Sequence, residues 1–195
     1  RLLTNADAAA QPLALRATYL DSWRKDDGYL TFMRVSAATK FDIWAVRPDD
    51  PSGEFPVIAT PANEGQSQLS PDGRYLAYAS DESGRFEIYV RAFPDPSQVF
   101  RVSTGGGNDP RWCCGGRELF FVAADRKLMS VEITTRPSFR AARPKVVLHT
   151  GLEQLWQDTR NHYDVTPDGR GLAVLMPEAD RRTAPFTLIV NWRQR

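Results

Sequence analysis

A phrase returns along this chain about every forty to fifty residues, and that recurrence limits the fold more than any other feature of the sequence. In one copy a turn, Asp72-Gly73-Arg74, leads into Leu76-Ala77-Tyr78, and a polar loop from Asp81 to Gly84 leads into Glu87-Ile88-Tyr89-Val90. The phrase recurs as Gly116-Arg117-Glu118-Leu119-Phe120-Phe121 with Leu128-Met129-Ser130-Val131. It recurs again as Asp168-Gly169-Arg170-Gly171-Leu172-Ala173-Val174 with Leu188-Ile189-Val190. A worn copy runs Asp27-Gly28-Tyr29-Leu30-Thr31-Phe32 and Asp42-Ile43-Trp44-Ala45-Val46.

Short strands and Gly-containing turns at this period predict an all-β fold, a β-propeller of about four four-stranded blades. Alignment on Leu30, Leu76, Leu119 and Leu172 brings Phe32, Tyr78, Phe121 and Val174 into one column, two residues on and so on the same strand face. The next strand contributes Ile43, Ile88, Leu128 and Leu188, followed by Trp44, Tyr89, Met129 and Ile189. Runs this apolar suit sheets covered on both faces. An inner strand ends at Trp23, Leu69, Trp112 and Val165, and outer strands are expected at 56–60, 99–103 and 146–149.

The whole chain, 1–195, reads as one domain with blades at about 16–60, 65–103, 108–149 and 160–192. The last copy lacks an outer strand, and residues 1–4 read as the strand that completes it and covers an open edge. Three arrangements fit about four blades: a closed small ring, a piece of a longer propeller, or a half-ring that closes as a homodimer.

Two copies enter the central strands through clean turns, Ser70-Pro71-Asp72-Gly73 and Thr166-Pro167-Asp168-Gly169, in which Pro presets φ and Asp-Gly supplies the reversal. The other two have decayed, to Arg24-Lys25-Asp26-Asp27 and to Cys113-Cys114-Gly115-Gly116. The cysteines therefore stand in a turn. Neighbouring cysteines close a ring only with strain, so two free thiols are expected. Neither His149 nor His162 has ligand spacing to them, so no metal site and no cofactor are expected.

A net charge of +1 provides no field for nucleic acid, and no apolar run reaches the roughly twenty residues that would span a bilayer as a helix. Neither a nucleic-acid partner nor membrane insertion is expected.

The string Glu64-Gly65-Gln66-Ser67-Gln68-Leu69-Ser70-Pro71-Asp72-Gly73-Arg74-Tyr75-Leu76-Ala77-Tyr78, followed by Glu87-Ile88-Tyr89-Val90-Arg91-Ala92-Phe93-Pro94, resembles the TolB-like (WD40-like, PD40) propeller repeat. With Ser103-Thr104-Gly105-Gly106-Gly107 and Pro110-Arg111-Trp112 added, it resembles the extracytoplasmic propeller C-terminal to many bacterial serine/threonine kinases. The resemblance implies a sensor or interaction domain, periplasmic or extracellular, that binds a protein, peptide or small molecule. Other relatives of the repeat gate prolyl-oligopeptidase-type hydrolases, so a hydrolase or its gating part is the alternative.

No kinase segment is present, and the nearest string to a nucleophile elbow, Gly65-Gln66-Ser67-Gln68-Leu69, lacks the second Gly. A Ser-x-x-Lys tetrad, Ser22-Trp23-Arg24-Lys25, falls at a strand end and turn, and a catalytic set could be drawn from Ser67, His162 and Asp164. The innermost strands, which line the central channel, are more informative. One column there holds Ser22, Gln68, Arg111 and Asp164, and another holds Leu20, Gln66, Asp109 and His162. Convergent polar groups of this kind suit a ligand site at the channel mouth made of Gln66, Gln68, Asp109, Arg111, His162 and Asp164, with Arg111 recognising an anion. The same groups could equally serve to solvate the channel and satisfy strand backbone.

Overall fold

The computed structural model describes residues 18–23, 28–95, 97–150, 163–174 and 187–190. These form antiparallel sheets, each assembled from consecutive strands. The first is β1 (Thr18–Trp23), β2 (Leu30–Ser36), β3 (Lys40–Arg47) and β4 (Asp50–Ile58), in that spatial order. The second is β5 (Glu64–Leu69), β6 (Tyr75–Ser80), β7 (Glu87–Ala92) and β8 (Val99–Arg101). The third contains β9 (Asn108–Cys113), β10 (Glu118–Val122) and β11 (Lys127–Thr134), with β12 (Arg140–Ala141) and β13 (Lys145–His149) both paired to β11. The last is β14 (Tyr163–Val165), β15 (Gly171–Val174) and β16 (Thr187–Val190). Residues 1–4, expected to complete the last blade, lie outside the described residues, as does His162.

One register repeats through all four sheets. Leu30 stands opposite Trp23, Leu76 opposite Leu69, Leu119 opposite Trp112 and Leu172 opposite Val165. Alternate residues of each central strand then pack against opposite neighbours. Leu76 and Tyr78 meet Ile43 and Ala45 of the preceding sheet, while Ala77, Ala79, Ile88 and Val90 meet Leu119, Phe121 and Val131 of the next. From the third sheet, Phe120, Val122 and Leu128 meet Val165, Leu172 and Val174 of the fourth. Burial on both faces accounts for the unbroken apolar runs, since each such side chain contributes about 1.5–3 kcal/mol on leaving water.

The outer part of the last sheet departs from the expected alignment. Trp44 pairs with Phe32, Tyr89 with Tyr78 and Met129 with Phe121, but Val174 pairs with Thr187 and not with Ile189. The columns with Leu188 and Ile189 were therefore two residues out of step. A slip of two keeps every side chain on its original face, so alternation cannot detect it.

The two clean turns have the same bonding. Gly73 N donates to Ser70 O and Gly169 N to Thr166 O, both at 2.8 Å, and both glycines take φ of +70°. The first-position hydroxyls bind the turn aspartates, Ser70 Oγ to Asp72 at 2.7 Å and Thr166 Oγ1 to Asp168 at 2.6 Å. They also accept the amide five residues on, from Tyr75 at 3.0 Å and Gly171 at 2.8 Å. In the third sheet Cys113 holds this hydroxyl position. Free thiols were expected there, but the Cys113 and Cys114 sulfurs are joined as a disulfide. Left-handed φ at Cys114 (58°), Gly115 (67°) and Gly116 (82°) curls the backbone beneath them, and the two glycines adopt this at no steric cost.

Candidate functional site

The inner strands β1, β5 and β9 each carry a bulge at the same level. The pairing shifts between Leu20 and Ser22, between Gly65 and Gln68, and opposite Phe121 between Asn108 and Arg111. Gln66 and Asp109 take left-handed φ of 54° and 60° at these bulges. An extra residue re-aims the side chains beside it, so period-two alternation does not carry through this stretch.

The bulges draw together a ladder of side chains linking one blade to the next. Asp21 of β1 accepts hydrogen bonds at Oδ2 from Ser67 N at 2.9 Å and Ser67 Oγ at 2.8 Å, and Thr31 Oγ1 lies 2.9 Å from the same hydroxyl. Gln68 Nε2 donates to Asp21 O at 3.2 Å. Between the second and third sheets, Asp109 N donates to Gln66 Oε1 at 2.9 Å and Trp112 Nε1 to Gln68 O at 3.0 Å. Between the third and fourth, the Tyr163 hydroxyl donates to Asp109 O at 2.6 Å.

Asp109 and Arg111 were expected to be open channel groups, and the fold places them otherwise. They are 5% and 6% exposed, and Arg111 Nη2 donates to Asp109 Oδ1 at 3.0 Å while Nη1 donates to Pro110 O at 2.7 Å. The guanidinium also lies 5.9 Å from the Tyr163 ring centroid. Two of its hydrogen bonds stay within β9, and the side chain is 7% exposed. Ser67 has no exposed surface, and its hydroxyl is bonded to a carboxylate with no described histidine beside it. Asp164 is exposed on β14, with Oδ1 accepting from Val165 N at 2.8 Å. Ser67 and Asp164 thus occupy different settings, one in a seam and one in solvent. Gln66 and Gln68 are half-buried, so with Asp164 they are the accessible members of the expected set among the described residues.

Sequence columns missed Asp21, Thr31 and Tyr163. Asp21 sits between Leu20 and Ser22, where regular alternation turns it away from the channel columns, and only the bulge brings it to Ser67. Its carboxyl is pushed up from 3.8 to about 7, chiefly by burial. The two Ser67 hydrogen bonds and the Arg111 charge oppose the shift, and Asp109 adds to it. Tyr163 is raised well above its ordinary value, again by burial.

A concavity of about 270 Å³ opens on the turn side, between the second and third sheets. Ser70, Asp72, Gly116, Arg117, Thr135 and Arg136 line it.

Antiparallel sheets of three to five described strands, stacked face to face about their inner strands, define a β-propeller, and known structures bear this out. TolB from Acinetobacter baumannii matches with a TM-score of 0.66 at 14% identity, over 87% of this chain and 40% of that one. A putative TolB from Agrobacterium tumefaciens matches at 0.54 and 19% identity, over 68% of this chain and 51% of that one. The propeller domain of the trilobed protease from Pyrococcus furiosus matches at 0.54 and 14%, over 88% and 53%. The chain therefore has a TolB-like propeller fold, and spans about half the length of these relatives or less. No protein-family model and no curated protein matches it.

Proposed function

We propose that this chain is a non-catalytic binding propeller that takes an extended peptide segment of a protein partner at the mouth of its channel. The observation that carries this reading is the division of labour along the inner strands. The Asp109 and Arg111 side chains are buried and paired with each other within β9, while Gln66, Gln68 and Asp164, each already holding one hydrogen bond, stay half-buried or exposed with donor or acceptor atoms to spare. Amide and carboxylate groups at a rigid rim suit peptide backbone and basic side chains. The kinase-type repeat grammar supports an extracytoplasmic setting, with the propeller serving as the sensing part of a larger protein.

A peptide array probed with the purified chain, followed by calorimetry on the tightest peptide, tests the proposal. Binding weakened about tenfold or more in Gln68→Ala and Asp164→Ala is expected, the size of a lost hot-spot contact. Unchanged affinity in both variants would remove the channel site. The hydrolase alternative meets the buried Ser67, because a nucleophile must reach its substrate. Turnover of short p-nitrophenyl esters that survives repurification and vanishes in Ser67→Ala would overturn the binding reading.

A further inference from the structure

We propose that the Cys113-Cys114 turn is a redox-gated site for a thiophilic divalent cation, closed as the disulfide and opened on reduction to a Cys113, Cys114 and Glu118 ligand set. The site follows from the turn geometry described above. Where the Ser70 and Thr166 hydroxyls accept the backbone amide of the residue five positions on, the Cys113 sulfur at the equivalent position faces the side-chain carboxylate of Glu118. The β9–β10 ladder sets Glu118 directly opposite Cys113. A third ligand thus arrives from the facing strand of the hairpin, which spacing between cysteines and histidines cannot reveal.

The oxygen-to-sulfur distances suit a small tetrahedral ion, and on reduction the two sulfurs would have to part to about 3.8 Å. Glu118 Oε2 lies 3.9 Å from Cys113 Sγ and 3.6 Å from Cys114 Sγ, and one ligand atom from each of the three residues falls within 4.8 Å of the others. Sulfur at about 2.3 Å and carboxylate oxygen at about 2.1 Å from zinc, at a tetrahedral angle, stand about 3.6 Å apart. Cys113 and Glu118 are buried, which strengthens their hold on a cation, whereas Cys114 is partly exposed and gives a reductant and the ion a way in. The fourth position is left to water, as in an open zinc site.

The chemistry balances in two steps. A dithiol reductant supplies two electrons and two protons, the bond between the Cys113 and Cys114 sulfurs breaks, two S–H groups form, and the reductant becomes a disulfide. The cation then displaces both thiol protons into water and forms two metal–sulfur bonds, with Glu118 as the third ligand. The turn is also coupled to the blade seam, because Cys114 N donates to Pro167 O at 2.9 Å and Cys113 packs with Tyr163, Val165 and Leu172.

The test uses the full chain and Co²⁺ as probe. After anaerobic reduction with a phosphine and desalting, the chain is expected to take up about one Co²⁺ with a thiolate-to-cobalt absorption band in the near ultraviolet. Oxidised chain should take up none, Zn²⁺ should displace the band, and Cys113→Ser and Cys114→Ser should each lose the two-thiolate spectrum. Glu118→Gln should keep the spectrum but bind about tenfold more weakly or worse. No band in reduced wild type, equal uptake by oxidised chain, or unaltered affinity in Glu118→Gln would overturn the site. Should a serine variant fail to fold, the oxidised and reduced wild type together with Glu118→Gln still decide the matter.

Discussion

Replacing Asp21 by asparagine should remove a specific part of the pH dependence of stability. In the folded chain burial raises this carboxyl from 3.8 to about 7, so between those values the folded state holds a proton that the unfolded state has released. Stability from this group is therefore highest below about pH 4, falls as pH rises, and levels off above about 7. Between about pH 5 and pH 8 the fall amounts to about 2–3 kcal/mol, a ceiling because Asp21 retains some contact with solvent. Glu64 acts in the same window. It is 1% exposed and raised to about 7, mainly by burial, with a Thr60 hydrogen bond opposing and Asp42 and Glu82 adding to the shift. Urea unfolding across that pH range would separate the two. In Asp21→Asn the side-chain amide keeps an oxygen for the Ser67 N–H, so the fold survives while one limb of the curve disappears. Glu64→Gln removes the other limb. If Asp21→Asn and wild type decline in parallel, the inner-strand carboxyl is not desolvated and the argument for its burial fails.

Three further outcomes follow from packing. Gly107→Ala would place a methyl 2.8 Å from Ile88 Cγ1 and 2.9 Å from Ser103 Oγ, so overpacking should cost about 1–3 kcal/mol in denaturant unfolding. Phe120→Ala should cost about 3–5 kcal/mol in the same assay, because this fully buried ring belongs to the core shared by the third and fourth sheets. Gly73→Ala and Gly169→Ala should lower the melting temperature by similar amounts, each costing about 1–2 kcal/mol, since both turns demand the same left-handed φ. Markedly unequal losses would show that the two turns bear different loads.

Much of the fold is legible because a blade is a local object. Leu30, Leu76, Leu119 and Leu172 share one register since each pairs with a strand only a short turn away, and Ser70-Pro71-Asp72-Gly73 and Thr166-Pro167-Asp168-Gly169 carry the chemistry of that turn in their own side chains. The Thr187 register was not legible, because a shift of two residues leaves the apolar pattern intact. The site was legible only in part. Gln66, Gln68, Asp109 and Arg111 do belong to the inner strands, but their exposure depends on bulges and on the neighbouring blade.

The repeat, the strand pairing within each blade and the turns could be read from the residues alone, because all of them rest on contacts close in the chain. Which polar groups stay open was settled by the way the blades stack. Stacking buried the Asp109–Arg111 pair of β9 and brought Asp21 to Ser67 across 46 residues, and the folded turn set Glu118 beside two joined cysteines. Burial and partnership depend on the elements packed on either side, and a strand's own periodicity records the face of a residue without recording what that face will meet.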